Sequence, residues 1–180
     1  MPIQVDNSGS RWQVPGAPGQ HLLLMPGQMH LGHQVASVRT LLGSCVAITL
    51  WHPQQRIGGM CHFLLPQRLR GQAGPPDGRY GDEAVAAMVH TLTRYGIRPQ
   101  DCVAHLYGGA DTLSGGGVDD FNIGARNVAQ GWLLIAQHGL RVDSVDVGDD
   151  IPRTVTLTLA TGEVQMRRCC GRLPEPLRGC

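Results

Sequence analysis

The chain has 180 residues and a formal charge of +1, and its fifteen basic residues are all arginine. That length suits one domain with a sizeable core, and a near-neutral balance with scattered arginines gives no basis for binding nucleic acid or an anionic membrane surface. With no lysine in the sequence, Schiff-base chemistry, a lysine general base and a phosphate-binding P-loop are excluded.

No apolar run approaches the roughly 18 to 20 residues that span a bilayer, and the N-terminus lacks the charged, apolar and cleavable regions of a signal peptide. A cytoplasmic protein without membrane insertion is expected. Of the six cysteines, Cys45, Cys61 and Cys102 are scattered and Cys169, Cys170 and Cys180 lie near the end. Without a secretory signal they read as reduced thiols rather than a disulfide framework.

Residues 1–20, rich in Pro, Gly, Ser and Gln, predict a flexible N-terminal arm, residues 21–170 a single domain, and residues 171–180 an extended tail. A short buried strand is expected over residues 21–25, then a polar connection over 28–37 that carries His30 and His33. Two β-favouring apolar runs follow, over residues 45–51 and 57–65, separated by His52-Pro53-Gln54-Gln55-Arg56. This is the composition of a hairpin.

A turn centred between Pro53 and Gln54 pairs Val46 with Cys61 and places Cys45 opposite His62. Directly opposed residues bring their Cβ atoms to about 4.5–5.5 Å, within reach of a thiol and an imidazole. A slip of one residue would send the two to opposite faces.

Beyond Pro66, residues 67–81 form a Gly/Pro/Arg-rich loop. A helix is expected over residues 82–95, opened by Asp82-Glu83 and closed by Gly96. A strand over 102–107 leads into Gly108-Gly109 and a glycine-rich loop over 111–120. A second helix over 124–138 has Gly139 as its C-cap, with Val128, Leu133, Leu134 and Ala136 as its apolar side. Strands over 141–147, 153–160 and 163–169 complete the chain. β-Hairpins that bracket two helices predict a layered α+β fold with helices on one face of a mixed, largely antiparallel sheet.

Chemistry concentrates around Cys45. A lone cysteine is most often a small buried hydrophobe. A histidine facing it supplies the other possibility, a nucleophile whose thiolate is favoured by a neighbouring imidazolium. Peptide N–H groups at Gly43, Ser44 and Cys45 are candidate oxyanion donors. Thr40 or Ser44 could orient the imidazole, and the sequence does not choose between them. A zinc site is disfavoured, because Cys61-His62 and Cys169-Cys170 are adjacent pairs whose side chains diverge in a strand, and no CxxC or HxxxH spacing exists. No cofactor is expected.

The stretches TLLGSCVAITLW from Thr40, GGMCHFLLP from Gly58, LYGGAD from Leu106 and IGARN from Ile123 together resemble the CheD family of chemoreceptor glutamine deamidases. The resemblance implies an α/β/β sandwich and a cysteine hydrolase that converts particular receptor glutamines to glutamate through a thioester. By position it implies Cys45 as nucleophile, His62 as general acid/base and Thr40 as third residue. Implied partners are the helical cytoplasmic domain of a chemoreceptor, as substrate, and a CheC-type phosphatase. The alternatives are a thiol amidase or esterase, including a receptor methylesterase, and a non-catalytic partner of that phosphatase. The segment Gly148-Asp149-Asp150-Ile151-Pro152-Arg153 departs from the family's glycine pair.

Overall fold

The computed structural model describes residues 12–111 and 122–169. The chain opens with β1 (His21–Leu24), β2 (Met29–Gly32), β3 (Ser37–Leu42), β4 (Val46–His52) and β5 (Ile57–Phe63). Next come α1 (Gly81–Arg94), a 3-10 turn (Pro99–Asp101), β6 (Val103–Gly108) and α2 (Ile123–His138). It ends with β7 (Arg141–Val147), β8 (Arg153–Thr158) and β9 (Val164–Arg168).

Two sheets result. The larger has the order β2-β5-β4-β6-β7 and is antiparallel except where β7 joins β6 in parallel across α2. The smaller has the order β1-β3-β8-β9, with only β1 and β3 parallel. β5 is buried over its whole length, as a strand covered on both faces must be.

One core fills the space between the helices and the larger sheet, with Ile48, Leu50, Cys61, Phe63, Met88, Leu92, Leu106 and Leu134 in it. A second core joins the two sheets through Leu24, Val38, Leu42, Ala47, Met60, Val155 and Leu157. Adjacent residues of β4 and β5 fall into different cores, because strand side chains alternate between faces. The helices thus lie on one face of the larger sheet and the smaller sheet on the other, the α/β/β order expected from the sequence.

Several local expectations change. The connection expected over residues 28–37 contains β2, which lies against β5 where Gly59 leaves room for it. A Cβ on Gly59 would come 1.8 Å from the His30 carbonyl oxygen. Within the expected arm, the Val14 N–H donates to Met29 O at 2.8 Å and the Met29 N–H to Trp12 O at 2.8 Å, which ties these residues to β2. The sequence predicts no element over residues 38–44, whereas Ser37–Leu42 form β3. On α2 the buried residues are Gly124, Asn127, Gly131, Leu134 and Ile135, and Leu133 faces outward at 59% exposure. Residues 112–120 of the glycine-rich loop expected over 111–120, and the tail over 171–180, lie outside the described residues.

The hairpin register also differs. Val46 pairs with Phe63, Ala47 with His62 and Ile48 with Cys61. Relative to the register predicted from the turn, β5 is displaced by two residues, because Arg56 adopts a left-handed conformation (φ 53°) and lengthens the turn. A displacement of two, unlike one of one, preserves the face. Cys45 and His62 are therefore diagonal neighbours on the face toward the smaller sheet.

Candidate active site

Residues 43–45 connect β3 of the smaller sheet to β4 of the larger, so Cys45 stands where the chain crosses between layers. Its backbone is held from several sides. The Ala110 N–H donates to Gly43 O at 2.9 Å and the Gly109 N–H to Cys45 O at 2.8 Å. The Asn127 side-chain amide donates to Ser44 O at 3.1 Å. β6 approaches this closely because Gly108 has no side chain: it has φ +114°, and a Cβ there would lie 2.2 Å from Cys45 O.

His62 projects from β5 into the space between the sheets and is 1% exposed. Its Nδ1 lies 2.6 Å from Thr40 Oγ1, and that hydroxyl donates to the Leu24 carbonyl at 2.9 Å. A hydroxyl has one proton to give, so Thr40 accepts from His62 and the imidazole proton resides on Nδ1. Nε2 then carries the lone pair. It is buried without a hydrogen-bond partner among the described residues, as a general base awaiting a proton would be.

Burial drives the His62 imidazole down to about 4 and pushes the Cys45 thiol up. Desolvation disfavours the charged form of each group. The resting pair is therefore a neutral thiol and a neutral imidazole, in place of the thiolate–imidazolium pair the sequence suggested. Cys45 is partly buried and packs in the inter-sheet core with Ala47, Met60 and Leu24. Cys61 points the other way into the helix-side core, which takes it away from Cys45.

Of the two candidates for orienting the imidazole, Thr40 meets it. Ser44 contributes its backbone carbonyl to Asn127 instead. Asn127 has no role in the sequence reading. It is fully buried, and its side-chain nitrogen also donates to Leu64 O at 2.8 Å, while Oδ1 is buried without a partner among the described residues. An unmatched buried amide oxygen costs on the order of 1–3 kcal/mol, so the two donated bonds hold the side chain against a penalty. The available signal was a polar residue on the buried stripe formed with Gly124, Gly131 and Leu134.

Beside this loop is a recess of about 380 Å³ lined by Gly109, Asp111, Asn122, Ala125, Gly148, Asp149 and Asp150. Its outer wall is the segment that departs from the family pattern, and it is fixed from behind by Arg153. That guanidinium is fully buried and meets Asp146 Oδ1 at 2.6 Å, Ile151 O at 3.0 Å and Gly148 O at 3.0 Å. Arg168 meets Asp146 at 2.9 Å and Asp149 at 2.9 Å. Among the described residues no group of three or more His, Cys, Asp or Glu side chains is arranged to hold a metal ion.

A thiol, an imidazole with its free nitrogen buried, and a hydroxyl that fixes its tautomer, placed at one end of an α/β/β sandwich, are the parts a thiol-dependent acyl-transfer enzyme needs. The chain belongs to the CheD family. Residues 64–168 match the family model described as CheD chemotactic sensory transduction. A protein of Chromobacterium violaceum named "Probable chemoreceptor glutamine deamidase CheD 1" is 40% identical over 156 residues, 86% of this chain and 81% of that one. "Probable chemoreceptor glutamine deamidase CheD 3" of Dechloromonas aromatica is 41% identical over 84% of this chain and 90% of its own length. A similarly named protein of Pseudomonas savastanoi pv. phaseolicola is 38% identical over 81% of this chain and 83% of its own length. The family-model match begins after His62, whereas an alignment that spans 86% of the chain takes in both Cys45 and His62.

Proposed function

We propose that the chain is a chemoreceptor glutamine deamidase that works through a cysteine thioester in chemotaxis. The observation that carries this reading is the Thr40–His62 hydrogen bond, which leaves Nε2 as the base on the face that Cys45 shares. The names of the relatives supply the substrate class.

Cys45 Sγ adds to the carboxamide carbon of a receptor glutamine while its proton passes to His62 Nε2. The oxyanion is received by peptide N–H groups at Ser44 and Cys45. The C–N bond then breaks as His62 returns the proton, and ammonia departs. Water, deprotonated by His62, attacks the thioester; the C–S bond breaks, the thiol is reprotonated and glutamate remains. Thr40 holds the imidazole in the tautomer that both half-reactions require. No metal or organic group enters this sequence.

The enzyme acts in the cytoplasm on the helical cytoplasmic part of the receptor, and a CheC-type phosphatase is its regulatory partner. Purified protein incubated with receptor cytoplasmic fragments is expected to raise the mass of particular glutamine peptides by about 1 Da each as amide becomes acid. Cys45→Ala and His62→Ala are expected to abolish that change. Deamidation retained by either variant rules the mechanism out, and no mass change with any receptor of the host rules out the substrate.

A further inference from the structure

We infer that Asn127 is a positioning residue for the reaction: by gripping the Ser44 carbonyl from the helix layer, it aims the Cys45 N–H at the oxyanion. The inference rests on the reading of Cys45 as nucleophile. A trans peptide is planar, so the carbonyl of Ser44 and the N–H of Cys45 point in opposite directions. Asn127 belongs to α2, on the helix face of the larger sheet, and its Nδ2 meets Ser44 O at 3.1 Å. The Cys45 N–H is thereby turned away from α2, toward the face on which His62 meets Thr40.

The neighbouring peptide follows the same rule. The Ala110 N–H holds Gly43 O at 2.9 Å, so the Ser44 N–H points away from Ala110. Among the described residues, neither the Ser44 N–H nor the Cys45 N–H donates to a protein acceptor. They remain available for a negative charge that exists only during the reaction, as oxyanion donors must.

The second bond of Asn127 gives it wider reach. Its Nδ2 also meets Leu64 O at 2.8 Å, two residues past His62 on the same run of chain. One amide group therefore indexes the nucleophile's peptide against the strand that delivers the base. Asn127 has no accessible surface and does not touch the substrate. Among the described residues its Oδ1 has no partner, and the side chain is held there by its two donated bonds.

The test uses the full chain and two reagents that need no receptor. Acetylation of Cys45 by p-nitrophenyl acetate passes through a tetrahedral oxyanion and releases p-nitrophenolate; alkylation by iodoacetamide displaces iodide and forms no oxyanion. In Asn127→Leu, of similar volume but without donors, acetylation is expected to fall roughly 10²- to 10³-fold, the usual effect of losing an oxyanion donor. Alkylation is expected to change far less. Equal falls in both rates would mean that the substitution merely loosens the loop, and no fall in acetylation would mean that Asn127 does not set the donor; either overturns the inference.

If Asn127→Leu gives no cooperative thermal transition, Asn127→Asp, of the same shape, replaces it. The ratio of acetylation to alkylation should then recover as pH falls and the introduced carboxyl gains a proton to donate. A ratio flat with pH overturns the inference. Wild-type protein that acetylates Cys45 but leaves receptor glutamines unchanged would remove the proposed substrate and leave the role of Asn127 standing.

Discussion

At the scale of single residues, the proposed site pairs an imidazole whose lone pair is buried with a thiol that burial keeps protonated. Burial lowers the His62 imidazole to about 4 and raises the Cys45 thiol, so proton transfer waits for a substrate carbonyl to receive the thiolate. The acid limb of kcat/KM is therefore expected near pH 4, not near the 6.5 of an ordinary imidazole. Deamidation rates measured from pH 4 to 8 decide the point, and a limb at 6.5 would contradict it. Thr40→Val keeps the shape and removes the acceptor from the imidazole Nδ1–H. It is expected to lower kcat at least about tenfold, since the tautomer is no longer fixed, with substrate KM little changed. The thiol and the imidazole were legible in the sequence as residues, and the threonine as one of two candidates beside Ser44. The protonation state was not, because it follows from burial between two sheets that only the tertiary fold creates.

At the scale of secondary-structure elements, the central strands and both helices could be read from apolar periodicity and end signals, which are local. β2 could not. Met29–Gly32 is short, contains a histidine and a glycine, and becomes a strand through its partner β5 and through the missing side chain of Gly59. Gly59→Ala places a Cβ within 1.8 Å of backbone, and the strand pair must separate to admit it. The substitution is expected to destabilise the protein by more than about 3 kcal/mol, which a urea unfolding curve measures. The register of β4 on β5 was misread for a related reason: the left-handed Arg56 adds length to a turn whose composition alone does not fix its geometry. The shared face survived because the displacement was an even number of residues. Asn127 went unread because a polar residue on a buried helical stripe reveals its purpose only when the carbonyls it serves are in place.

At the scale of the whole molecule, stability should depend on pH through the buried histidine. Folded His62 resists protonation to about 4, whereas the unfolded chain takes a proton near 6.5. Between those values the unfolded state binds more protons, so stability falls as pH drops from 6.5 toward 4, by about 3 kcal/mol in full. His30 and His105 are also lowered by burial and add to the same slope. Comparing wild type with His62→Gln in urea at pH 7 and pH 4.5 isolates the share of His62, and equal pH dependence in the two proteins would contradict it. The ionic cluster behind the recess lies beside the same loop, since Arg153 of β8 pairs with Leu42 at the end of β3. Arg153→Met removes a fully buried guanidinium from Asp146 and from two backbone carbonyls. Breaking such a pair is expected to cost about 3–5 kcal/mol, measurable in the same unfolding curves.

The bonds that fix residues 43–45 come from Gly109, Ala110 and Asn127, more than sixty positions further along the chain for every one of them. Such distant contacts form late in folding, because long loops must close first. During synthesis the thiol and its histidine leave the ribosome well before the helix that disciplines them. A nascent chain shorter than 127 residues holds Cys45 and His62 without the Asn127 bonds that fix Ser44 and Leu64. On the proposed mechanism, chemical competence arrives only once Asn127 and the carbonyls it holds are in place.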